Sequence, residues 1–151
     1  MSPPSGASPR AFFDTHVVFS AVLSSGGVPR ELLLLAARET IQVVISQQVV
    51  EEIRRNLSKK HPESLRHLPS LLTQARIEVV EDANERAVEE VIEYIPYPPD
   101  AAIFAAALEA RVDCFVTGDR RHFLSKPEIE DRAGLSILSP RAFLQRVNHD
   151  I

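Results

Sequence analysis

Four acids spread along the sequence, Asp14, Glu52, Asp100 and Asp119, are the residues best suited to do chemistry together. Hard divalent cations such as Mg²⁺ and Mn²⁺ take oxygen ligands and keep several waters. Three or four carboxylates without cysteine or paired histidine therefore suit them, and suit zinc less. The five histidines, at positions 16, 61, 67, 122 and 149, make neither an HExxH helix nor a Cys/His array and read mostly as surface residues. Other chemistries lack their signatures: there is no GxGxxG turn, no Walker A lysine loop and no GxSxG elbow. Asp14-Thr15-His16 has no second acid two residues on, which speaks against an aspartyl nucleophile.

Each acid also has a plainer explanation. Asp14 directly follows the apolar Ala11-Phe12-Phe13 and serves equally well as a metal ligand or as the cap of a following helix. Asp119, in Thr117-Gly118-Asp119, would by itself be a turn residue beside glycine, but two strand ends each bearing Asp favour a shared role. Asp100 follows Pro98-Pro99 and starts a helix that is almost entirely apolar from Ala101 to Leu108; taken alone it reads as an N-cap. Glu52 competes with Glu51. On a helix whose buried stripe is Val49, Val50, Ile53 and Leu57, Glu52 lies ~115° from the stripe centre and Glu51 ~145°, so Glu52 flanks the packed face.

The elements that must position these acids alternate in type. Ala11 to Phe13 reads as a buried strand, Val17 to Leu23 as a helix ending near Ser24-Ser25-Gly26-Gly27, and Leu32 to Ala37 lies in a helix whose first turn holds Pro29. Ile41 to Ile45 is a β-branched strand, Ser46 caps a helix over Gln47 to Leu57, and Leu65 to Ala75 is a further helix. Ile77 to Val80 is a strand and Asn84 to Tyr94 a helix, before Pro98-Pro99 breaks the chain ahead of the Asp100 to Ala110 helix. Val112 to Val116 is a strand. An irregular polar stretch follows, then the strand Ser136 to Leu138 and a helix capped by Ser139-Pro140 that ends near Val147. Continuous apolar strands separated by helices predict a three-layer α/β/α fold with a central, mainly parallel sheet, whose ligands bind beyond the carboxyl ends of the strands.

Composition fits one such domain. The chain is 44% hydrophobic and 25% charged, ordinary globular values, and 151 residues can bury a sizeable core. We expect a flexible lead-in over residues 1–9, one domain over 10–147 and a tail over 148–151. The single Cys114 sits in an apolar run and excludes a disulfide framework. The apolar stretches Leu32 to Ala37 and Ala101 to Leu108 are far short of the ~20 residues of a spanning helix, and Met1 to Pro9 has no signal core, so a reducing cytoplasmic setting is the default. A net charge of −4 argues against binding nucleic acid through bulk charge, while a local basic rim remains open to phosphates.

The order of these motifs resembles the PIN-domain nucleases, in particular stand-alone bacterial proteins related to VapC-type toxins. The resemblance runs from about Ala11 to Val147. It is carried by Phe13-Asp14-Thr15, by Ile45-Ser46 leading to Glu52-Ile53, by Asp100 with the Ala101 to Ala107 run, by Val116-Thr117-Gly118-Asp119, and by the closing Ile137 to Leu144 segment. It implies a compact, Rossmann-like α/β/α domain, often dimeric, that cleaves RNA with Mg²⁺ or Mn²⁺ held by Asp14, Glu52, Asp100 and Asp119. Two departures stand out: His16 where the family has Asn, and Arg120-Arg121-His122-Phe123 where relatives place another acid or a small polar residue.

The mechanism so implied is in-line attack on a phosphodiester by metal-activated water, with Glu52 binding metal directly or through water. Arg120 and Arg121, and Arg54, Arg55, Lys59 and Lys60 around the Glu52 helix, are candidates to contact phosphate, although charged residues of this kind are usually solvated surface. Two other functions stay open: a catalytically weak or inactive PIN-like module that binds RNA or protein, and metal-dependent hydrolysis of a small phosphate ester. If the chain is a toxin, the resemblance also implies a cognate antitoxin.

Overall fold

The computed structural model describes residues 8–150, and five short strands form its spine. They are β1 (Arg10–Phe13), β2 (Gln42–Ser46), β3 (Glu78–Val80), β4 (Cys114–Val116) and β5 (Ser136–Leu138). All neighbours pair in parallel, in the order β3-β2-β1-β4-β5. The chain steps outward from β1 to β3, then crosses back to lay β4 on the other side of β1. The direction of winding therefore reverses between β1 and β4, the place where open α/β sheets form a crevice at their carboxyl edge. Phe13 is in register with Val116, so Asp14 and Thr117 leave the sheet side by side, and the Asp14 N–H donates to the Val116 carbonyl at 3.0 Å.

Among the described residues eight α-helices cover the sheet: α1 (Thr15–Leu23), α2 (Val28–Ala37), α3 (Gln47–Lys60), α4 (Leu68–Gln74), α5 (Glu85–Ile92), α6 (Pro98–Glu109), α7 (Pro127–Ala133) and α8 (Pro140–Asp150). Helix α1 packs on α2 and α3, and α8 on α2; α5 and α6 pack together. Strand periodicity sends neighbouring aromatics to opposite layers. Phe13 meets Phe143 of α8 edge-on, with ring centroids 6.3 Å apart. Phe12 stacks on Phe115 at 5.8 Å, and Phe115 touches Phe104 of α6 at 5.1 Å and Phe123 at 5.0 Å. This second cluster braces α6 and the segment after Asp119 against the sheet, so burial fixes where Asp100 and Asp119 start. Cys114 is buried in the strand next to Phe115, and desolvation pushes its thiol up to about 12, as for a packing residue.

Several boundaries differ from the sequence expectation. Pro98-Pro99 starts α6 instead of breaking the chain before it, because proline needs no N–H and has a helical φ in a first turn. Asp100 is thereby the third residue of the helix, and the N-cap position falls to Tyr97. The helix expected over Leu65 to Ala75 is a 3₁₀ turn, Pro62–His67, followed by α4. The stretch after Asp119, expected to be irregular, contains a π-type turn, Arg120–Leu124, and α7, which ends at Gly134 in the left-handed conformation (φ 69°). Helix α7 has the single buried side chain Ile129, too little for an apolar stripe to be read. Residues 1–7 of the expected lead-in and residue 151 of the expected tail lie outside the described residues. Pro9 already accepts a 2.8 Å hydrogen bond from the Gln42 N–H at the start of β2. Helix α8 carries the chain through Asn148 and His149 as solvent-facing positions beyond its last buried residue, Val147. Among the described residues no single helix is long and apolar enough to cross a membrane.

Candidate active site

At the carboxyl edge of β1, Asp14 caps a helix and also faces a cleft. One carboxylate oxygen accepts the Thr15 N–H at 2.8 Å, starting α1, and the other accepts the Thr117 hydroxyl at 2.8 Å. Thr117, fully buried at the end of β4, also accepts the Asp119 N–H at 3.0 Å, so one side chain ties both strand ends together. The Thr15 hydroxyl donates to Glu52 at 2.7 Å, and Gln48 donates to the other Glu52 oxygen at 3.2 Å while reaching the Pro99 carbonyl at 3.2 Å. These bonds join α1, α3 and the start of α6. Glu52 is half-buried in this network, whereas Glu51 is exposed and pairs with Arg54 at 3.0 Å.

Asp119 caps the following turn: its Oδ1 accepts the His122 N–H at 2.9 Å, and its Oδ2 lies 2.8 Å from His122 Nδ1. Asp100 enters from α6, with its side chain 19% exposed and its Oδ2 3.3 Å from the same imidazole nitrogen. That oxygen is buried and, among the described residues, accepts no hydrogen bond. An N-cap role would have given it one, so capping does not account for this carboxylate.

The acids titrate apart. Burial pushes Asp14 up, against hydrogen bonds from Thr117 and Thr15, and the charges of Glu52 and Asp119 push the same way. Asp100 is raised to about 6, first by burial and then by Asp14, with Asp119 and Glu52 adding and His122 opposing. Burial would raise Asp119 as well, but hydrogen bonds from the His122 backbone and side chain outweigh it and hold this acid below the usual range. Asp119 is thus ionised, which makes His122 Nδ1 the donor of their shared hydrogen bond. Asp14 and Asp100, held near the other acids at the cost of raised pKa values, and the unpartnered buried oxygen of Asp100 match the demand of a hard divalent cation for oxygen ligands.

Asp14, Glu52, Asn56, Asp119, Arg120 and Arg121 line a cleft of ≈ 500 Å³, and His16 faces it as well. His16 is exposed and stacks on Phe19 at 6.2 Å. Arg54 and Arg55 are exposed on α3 and are not among the residues that line the cleft. A depression of similar size (≈ 480 Å³) near Leu23, Arg30 and His67 holds no carboxylate and lies away from this chemistry. The sequence gives His122 no role, reading most of the five histidines as surface residues; the structure brings it, 42% exposed, against two of the acids. Its signal was the Asp119-Arg-Arg-His122 spacing, which returns a side chain to the cap residue three positions back. Thr15, Thr117 and Gln48 were also missed, since their roles exist only once the strand ends are adjacent.

Residues 10–121 match the PIN domain family, and the chain belongs to it. Its fold is similar to that of several solved structures. The VapBC2 complex of Rickettsia felis, bound to a DNA fragment from its promoter, aligns with a TM-score of 0.65 at 18% identity, over 86% of this chain and 98% of that one. A toxin-antitoxin complex from Klebsiella pneumoniae aligns with a TM-score of 0.61 at 22% identity, over 86% and 97%. FitAcB from Neisseria gonorrhoeae aligns with a TM-score of 0.58 at 20% identity, over 87% and 98%. No curated protein matches the sequence significantly.

Proposed function

We propose that this protein is a ribonuclease dependent on Mg²⁺ or Mn²⁺, and the toxin of a toxin-antitoxin pair. The observation that carries the metal requirement is Asp100, an acid raised to about 6 with a buried oxygen that no hydrogen bond satisfies. Asp14, Asp100 and Asp119 would hold the cation, and Glu52 would bind it directly or through water. A cation held there supplies a water of lowered pKa and offsets charge on phosphate oxygens.

The chain's own residues do the rest. Thr15 and Gln48 fix both oxygens of Glu52, leaving its carboxylate oriented to accept a proton from the attacking water. Thr117 sets the spacing of Asp14 and Asp119. Arg120 and Arg121, on the cleft wall, contact substrate phosphate. Arg54 and Arg55 stand farther out and attract the strand at longer range; Arg54 is already engaged by Glu51.

The likeness to toxin-antitoxin complexes supports a protein antitoxin as partner; a cytoplasmic setting and pairing of two copies belong to the same proposal. RNA cleavage in Mg²⁺ or Mn²⁺ by the wild type, Asp14→Ala and Asp119→Ala tests the activity. Each variant is expected to lose at least a hundredfold in rate; equal cleavage by all three overturns the proposal.

A further inference from the structure

We infer that Tyr97 and His122 form a nucleobase-stacking subsite beside the carboxylates, on which an unpaired base of the RNA strand lies flat against Tyr97. The inference rests on the nuclease reading above and adds to it the residues that seat the substrate.

Tyr97 is 54% exposed, an aromatic ring of large area given to solvent. It occupies the N-cap position of α6, yet its side chain caps nothing, so the ring has no task in the helix. The backbone beneath it is stiff, because the residue before a proline is confined to extended conformations, and Tyr97 has φ −81° and ψ 112°. The ring lies parallel to the His122 imidazole, at 12° and 5.9 Å between centroids, an offset stack. His122 is in turn held by two hydrogen bonds to Asp119. The aromatic shelf is therefore fixed relative to the acids before any substrate arrives, at little further loss of side-chain freedom.

A hollow of ≈ 140 Å³ adjoins the shelf; its walls include Tyr94, Tyr97, His122 and Lys126, with Asp100 on the side of the acids. It has room on the order of five waters, enough for one flat ring system and not for a length of chain. Lys126 makes no ion pair among the described residues and is available to a phosphate at its rim. Aromatic rings beside a cation are how unpaired bases are held, since every base has a π-face whereas a paired base keeps its faces inside the helix.

Short oligoribonucleotides carrying one 2-aminopurine, titrated into the whole protein in Ca²⁺ with strand integrity checked on a gel, test the subsite. In the wild type one probe position is expected to be quenched on binding, and Tyr97→Phe should preserve both quench and affinity. Tyr97→Ala and Tyr97→Leu should each abolish the quench and weaken binding about tenfold. The Leu variant keeps an apolar side chain without the flat ring, and unchanged circular dichroism shows that the fold is intact. Full quench and affinity in both variants overturns the subsite while leaving the nuclease proposal standing. Absence of any RNA binding or cleavage by the wild type overturns both.

Discussion

The Thr117 hydroxyl donates a 2.8 Å hydrogen bond to the Asp14 carboxylate, across 103 positions of sequence. It is the point where the two strands flanking the reversal of winding are joined, and it sets the distance between the first and last acids of the site. Replacing it with valine keeps the shape and leaves Asp14 short of a donor in a buried setting.

Thr117→Val is expected to push the Asp14 carboxyl further above its ordinary range and to weaken Mn²⁺ binding about tenfold in calorimetric titration. Loss of the two bonds should also lower stability by roughly 1–3 kcal/mol in urea unfolding. Unchanged Mn²⁺ affinity would show that Asp14 does not depend on this bond.

Asp100 links acidity to metal. A ligand must be ionised, so with Asp100 at about 6 the Mn²⁺ affinity is expected to be steady above pH 7 and to fall as pH drops below about 6. Metal-free stability runs the other way. A carboxyl whose folded pKa is raised binds protons more tightly in the native state, so its stabilising protonation is present below the unfolded value of 3.8 and is lost as pH rises through about 6. Asp100→Asn is therefore expected to raise the Tm in EDTA at pH 7.5 by several degrees, to leave it little changed at pH 4, and to abolish the rise that Mn²⁺ gives the wild type.

His122 Nδ1 lies 2.8 Å from Asp119 and 3.3 Å from Asp100, and a hydrogen donated from there relieves their repulsion when no cation does. His122→Ala is expected to lower the Tm more in EDTA than in Mn²⁺. A larger loss in Mn²⁺ would make the imidazole a ligand instead of a substitute for the cation.

Phe115 packs against Phe12, Phe104 and Phe123 and is fully buried. Phe115→Ala is expected to cost about 3–5 kcal/mol in denaturant unfolding, and the milder Phe104→Leu to weaken Mn²⁺ binding without contacting an acid. Metal affinity unchanged in a destabilised Phe104→Leu would separate the core from the positioning of Asp100.

Much of this architecture was legible in the sequence because it follows from burial. Ala11 to Phe13 and Cys114 to Val116 are continuous apolar runs, which a strand covered on both faces explains, and an acid follows each at the same edge. Helix geometry likewise separated Glu52 from Glu51. What was hidden depends on neighbours that exist only after folding. Nothing in Thr117 or Gln48 announces a partner far along the chain, and His122 has the composition of a surface residue. Pro98-Pro99 is ambiguous in the sequence because proline ends helices as readily as it begins them; α6 packing its alanine-rich face inward decides between the two.

The central claim is that these acids gather around one kind of ion. Crystals soaked in Mn²⁺ and measured at the manganese absorption edge test it most directly. An anomalous peak about 2.1–2.3 Å from oxygens of Asp14, Asp100 and Asp119 is expected, with Glu52 bound directly or through one water. A map with no peak among these carboxylates, from crystals that bind Mn²⁺ elsewhere or not at all, would contradict it.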